Sequence, residues 1–160
     1  MKIRQNLLHS LPLALLLLGG CRHGGGSGLA SCLGAQTNDA AIEACTPVID
    51  SKEASAHDRA TAYSYRGGAR GGKGDAAGAI SDLNAAVALA PDDASILANR
   101  GAIYTGQNQL GRAIPDLLAA IRMNPNEKLA LGNLAIVHEK RGEWDQARVL
   151  VDRVLKLDPS

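Results

Sequence analysis

Gly67 to Gly74 reads Gly-Gly-Ala-Arg-Gly-Gly-Lys-Gly, the stretch of this 160-residue chain with the most obvious chemical promise. Gly67, Gly72 and Lys73 stand at the spacing of a phosphate-cradling loop, where backbone N–H groups and a lysine hold phosphate oxygens. The chemistry fails one residue later. Gly74 occupies the place where a Ser or Thr hydroxyl must hold magnesium, and no hydrophobic strand leads into the run. The Arg-Gly-Gly pattern also suits an RNA-binding segment. Yet Lys+Arg number 17 against Asp+Glu 16, and there is no phenylalanine for stacking bases. The histidines His9, His23, His57 and His138 lie without metal-ligand spacing. No Cys-x-x-Cys, no Gly-x-Ser-x-Gly and no glutamate–histidine zinc motif occurs. Nothing assembles a nucleophile, a base and an oxyanion pocket, so no enzyme activity, no metal and no cofactor is expected.

The pattern around these residues is stronger than the residues themselves. Pro91, Pro125 and Pro159 repeat every 34 positions, and Ala79, Ala113 and Ala147 precede them at a constant offset. At the same period Gly67 falls on Gly101 and Ala135, Gly74 on Asn108 and Gly142, and Leu83 on Leu117 and Val151. Val87, Ile121 and Leu155 align as well. Each period carries two amphipathic stretches with apolar residues at three- and four-residue steps. A glycine or polar break separates them, and a proline that cannot continue a helix closes the unit. A fixed period means one supersecondary unit used several times, not one core with one cleft.

This pattern resembles the tetratricopeptide repeat, a helix–turn–helix unit of 34 residues. The second copy places Asn99, Gly101, Tyr104, Ala113, Ala120 and Pro125 where the family wants them, and the third places Leu131, Gly142, Trp144, Ala147 and Pro159. The implied fold is an all-α solenoid. It has about seven helices in three full repeats (60–93, 94–127 and 128–160) and a partial N-terminal repeat (31–59). Asp93, Asn126 and Ser55 with Asp58 sit where helices need an N-cap.

In such a solenoid the first helices line the concave face. The resemblance puts Thr61, Ser64, Tyr65 and Gly68 there, then Ser95, Ala98, Asn99, Ala102 and Thr105, then Leu129, Asn133, Ile136 and Lys140. Tyr65, Asn99, Asn133 and Lys140 are the candidate partner-binding residues. Asn99 and Asn133 stand one repeat apart, and an amide offers donor and acceptor to an extended backbone. Alternatively they only cap local contacts. The family's carboxylate clamp of several lysines and arginines is absent.

Residues 1–20 read as a targeting segment: Lys2 and Arg4, then a short apolar run from Leu11 to Leu18, too short to span a membrane. Leu18-Gly19-Gly20-Cys21 resembles a bacterial lipobox, which implies lipid on Cys21 and a membrane anchor. The alternative is plain secretion with cleavage after Ala30, giving a soluble periplasmic protein. Residues 21–30 read as a Gly/Ser-rich tether. With Cys21 lipidated, Cys32 and Cys45 remain as a pair in an oxidising compartment. They read either as a disulfide, worth roughly 3 kcal/mol, or as two buried thiols. Residues 38–51 read as one helix, the second of a shortened repeat.

Four departures from the repeat carry expectations. Gly68, Gly71 and Gly72 exceed what the repeat needs and cost roughly 3 kcal/mol together in a helix, so its C-terminal half is expected to fray. Pro115 predicts a mild kink near Gly111. Arg66 and Asp82, 16 residues apart, recur as Arg100 and Asp116, but as Leu134 and Leu150 in the third copy. This covariation predicts a contact between the two helices of each unit, coincidence being the alternative. The last helix is unusually apolar, with no polar cap after it, and predicts an open-end interface through residues 147–157, including Val149, Val151 and Leu155. Self-association or partner docking would use it.

The sequence thus points to a non-catalytic, lipid-anchored scaffold facing the periplasm and binding another protein or peptide, with no nucleic-acid partner. Alternatives are an assembly or pilot factor for a secretion or pilus machine, and a recruiter of a peptidoglycan hydrolase.

Overall fold

The computed structural model describes residues 26–157, with side chains from residue 28. The targeting segment, the lipobox and Cys21 lie outside the described residues. Among those described there are eight α-helices: α1 (Gly26–Leu33), α2 (Asn38–Asp50), α3 (Ala56–Gly72), α4 (Ala76–Leu89), α5 (Ala94–Gly106), α6 (Leu110–Met123), α7 (Lys128–Lys140) and α8 (Trp144–Leu157). The extra helix is α1. It begins inside the stretch read as tether, so residues 26–30 are helical. Helices pack in the pairs α1–α2, α3–α4, α5–α6 and α7–α8, and first helices also touch in the order α1, α3, α5, α7. That is the all-α tetratricopeptide-type solenoid.

The turn inside each full unit repeats as faithfully as the prolines. Gly74, Asn108 and Gly142 all have positive φ (84°, 57° and 75°), a conformation that costs glycine nothing and asparagine little. Across each turn the same backbone bond closes the helix: Asp75 N–H to Arg70 C=O, Gln109 to Tyr104, and Glu143 to His138, at 2.8–2.9 Å. Two of the expected caps form. Ser55 Oγ accepts from Asp58 N–H, and Asp93 Oδ1 from Ser95 and Ile96 N–H. Asn126 is not a cap: the residue one period after Asp93 is Glu127, which stands at the N-cap of α7 with no side-chain bond to the helix N-terminus.

The glycine-rich helix does not break. α3 runs unbroken to Gly72, because most of its glycines are places of close approach. A β-carbon at Gly67 would stand 2.9 Å from Leu83 Cγ, at Gly71 2.3 Å from Ile103 Cδ1, and at Gly72 2.6 Å from Asn38 Nδ2. Their helical cost is offset by packing against α4, α5 and α2. Gly68 alone meets nothing within 4 Å. Helix α6 likewise continues through Pro115.

The covarying pair forms in both copies. Arg66 grips Asp82 through Nε and Nη2 (2.9 and 2.8 Å) and reaches Thr46 Oγ1 at 3.0 Å. Arg100 grips Asp116 in the same bidentate way (2.7 and 2.8 Å) and reaches Asn84 Oδ1 at 3.0 Å. Each arginine therefore ties the two helices of its own unit to the second helix of the unit before. The carboxylate bonds raise both guanidinium pKa values above their ordinary range. In the third unit Leu134 is buried, and Leu150 packs against the cluster that contains it. At the N-terminal end Cys32 and Cys45 form a disulfide between α1 and α2 (Sγ–Sγ 2.00 Å). The bridge lies in a cluster with Val48, Ile49, Ala54 and Ala62.

Candidate protein-binding groove

Thr61, Ser64, Tyr65 and Gly68 recur at three- and four-residue steps, so they share one face of α3. That face, the start of α5 and the turn between α1 and α2 enclose an open groove of about 480 Å³. Ser95 and Asn99 come from α5, and Ala35 to Asn38 with Ala41 form the opposite wall. Gly68 leaves space where a side chain would intrude.

Among the described residues no lysine or arginine lines the groove. Its one carboxylate, Asp93, already serves the N-terminus of α5. What remains is hydroxyls, amides, small apolar residues and the half-exposed ring of Tyr65. Asn99 Nδ2 donates to the buried Ser64 Oγ at 3.0 Å, which leaves the Asn99 carbonyl oxygen to accept from a ligand. Such a lining matches an uncharged extended backbone better than a terminal carboxylate, which needs cationic donors.

The four candidate concave residues are not brought together. Tyr65 and Asn99 line the groove. Asn133 donates to its own helix at Leu129 C=O (2.9 Å), and Lys140 is exposed at the far end of α7. The wall from Ala35 to Asn38 was missed by sequence reasoning. The partial repeat departs from the 34-residue period, and no motif marks that turn.

At the other end of the stack, Val149, Val151 and Leu155 are 65%, 46% and 62% exposed. They do not form one face. At 100° per residue Val149 and Val151 point nearly opposite ways. Val149 lies beside Asp152, Arg153 and Lys156. Val151 and Leu155 share a stripe with Trp144, also 65% exposed.

No curated protein sequence matches the chain. Among solved structures it is similar to a crystal structure of MamA, with 23% identity and a TM-score of 0.61 over 76% of this chain and 68% of that one. It is also similar to MamA AMB-1, at 20% identity and a TM-score of 0.63, covering 82% of this chain and 69% of the other. At these identities the likeness concerns the fold. Residues 104–160 match the sequence model of the tetratricopeptide repeat. Turn geometry, helix packing and the likeness to these structures agree that the described residues have the all-α tetratricopeptide-type solenoid fold.

Proposed function

We propose that this chain is a non-catalytic scaffold that holds an extended segment of another protein in the groove between the α1–α2 turn, α3 and α5. The observation that carries this reading is the groove lining: hydroxyls and amides without a cation, opened by Gly68. An extended backbone offers alternating N–H and C=O groups, and Asn99 and the Tyr65 hydroxyl can meet both. Lipid on Cys21 would hold the scaffold at a bacterial membrane, facing the periplasm. The lipobox-like Leu18-Gly19-Gly20-Cys21 supports that placement. The disulfide between Cys32 and Cys45 suits such a compartment.

A photo-crosslinking residue at Tyr65, activated in membranes, should give a discrete adduct identifiable by mass spectrometry. Gly68→Arg, which fills the groove, should remove that adduct while leaving the helical content unchanged. An adduct that survives Gly68→Arg would refute the groove as the binding site. Mass spectrometry of the mature N-terminus tests the anchor separately: an unmodified terminus, or one at Ser31, would rule out lipid on Cys21.

A further inference from the structure

Trp144, Val151 and Leu155 stand one period after Leu110, Leu117 and Ile121. In the second unit that face is covered. Leu117 is fully buried, and Leu110 and Ile121 pack into the cluster containing Ala130, Leu134 and Val137 of α7. In the third unit the same three positions are 65%, 46% and 62% exposed. The α8 stripe is therefore a helix-packing face by construction.

Its charges say what kind of helix fits. The two residues that would match Ile114 and Leu118 of α6 are Arg148 and Asp152. Arg148 lies within the stripe and Asp152 beside it, and neither pairs with another described residue. Ile114 packs against the cluster that contains residues of α7, whereas Leu118 stays 40% exposed beside it. A following helix patterned like α7 would therefore set Ala, Leu and Val against Arg148 and leave that cation partly desolvated without a partner. We propose that the face is an isologous dimer interface, occupied by α8 of a second copy running antiparallel. With a two-fold axis between Arg148 and Val151, Trp144 faces Leu155 of the second copy and Leu155 faces its Trp144. Each Val151 lies on the aliphatic stem of the opposite Arg148, whose guanidinium reaches the opposite Asp152. A two-fold interface demands self-complementarity, and this stripe has it in the order of its apolar residues and in charge.

The groove lies toward the other end of the solenoid, so this interface is independent of the binding reading above. A dimer would present two grooves, and a repetitive partner would gain avidity from both. One helix pair is a small interface, so micromolar dissociation is expected.

Trp144 is the only tryptophan of the chain, so its emission reports directly on the stripe. Sedimentation equilibrium of the purified full chain should show a monomer–dimer equilibrium, with Trp144 emission shifting to the red on dilution. Leu155→Asp should give a monomer with unchanged helical circular dichroism. Arg148→Asp should weaken dimerisation roughly tenfold or more by opposing two carboxylates. Adding Asp152→Arg to it should restore most of the loss. A wild-type monomer at high micromolar concentration, or a dimer indifferent to Leu155→Asp, overturns the interface. Failure of the charge swap to rescue overturns the antiparallel arrangement.

Discussion

The second and third units share a period, a turn and a helix pairing, yet the same positions live in different surroundings. Leu117 is fully buried while Val151 is 46% exposed. Arg100 and Asp116 form a bidentate pair, where Leu134 is buried in an apolar cluster against which Leu150 packs. The contrast separates what a unit owns from what its neighbour gives it. The contact between two helices of one unit is intrinsic, because both partners travel together in the repeat. The burial of the second helix's outer face is borrowed in part: Leu117 lies on Gly101 of its own unit and also in the cluster that includes Ala130, Leu134 and Val137 of the next first helix.

Truncating the borrowed face in both units tests this most severely. Leu117→Ala should cost roughly 2–5 kcal/mol, the range for a buried aliphatic side chain. Val151→Ala in dilute protein should change stability by less than about 0.5 kcal/mol. Urea denaturation measures both. Equal losses would mean that Val151 is buried in solution and that the units are not as different as their exposures indicate.

Transplanting the third unit's contact into the second sharpens the intrinsic half. Asp116→Leu alone should cost about 2 kcal/mol, since it strands Arg100, whose charge loses its hydrogen-bonded partner. The double change Arg100→Leu with Asp116→Leu should recover most of that, because an apolar pair replaces an ionic one with little net loss. A double variant as unstable as the single one would show that the link from Arg100 to Asn84, and not the pair itself, holds the helices.

The smallest effect concerns the glycines of the first helices. Gly68→Ala should stabilise by up to about 1 kcal/mol, since the site is helical and open. Gly101→Ala should destabilise, because its β-carbon would stand 2.6 Å from Leu117 Cδ2. Thermal melts that reversed this order would contradict the view that packing, not propensity, decides which glycines the repeat requires.

The 34-residue period with two amphipathic stretches in each copy indicates helix, turn and helix, and the family resemblance implied the solenoid. The recurrence of Gly74, Asn108 and Gly142 marked the three breaks between helices, and the folded structure added that each is left-handed. The Arg–Asp to Leu–Leu covariation was legible for the same reason, since both members sit at fixed places in a repeated unit. Tyr65 and Asn99 could be placed on the concave side by what the family resemblance implies. It took the folded stack to bring the turn from Ala35 to Asn38 against them, because the α1–α2 pair is off the period and held by its disulfide. The stack also kept α3 whole through glycines whose cost was legible in sequence but whose compensation was not. That compensation comes from Leu83, Ile103 and Asn38 on other helices. Local pattern encodes what one helix or one hairpin can do alone. Close approach and burial depend on residues far away in the chain, and those distances exist only once the units have stacked.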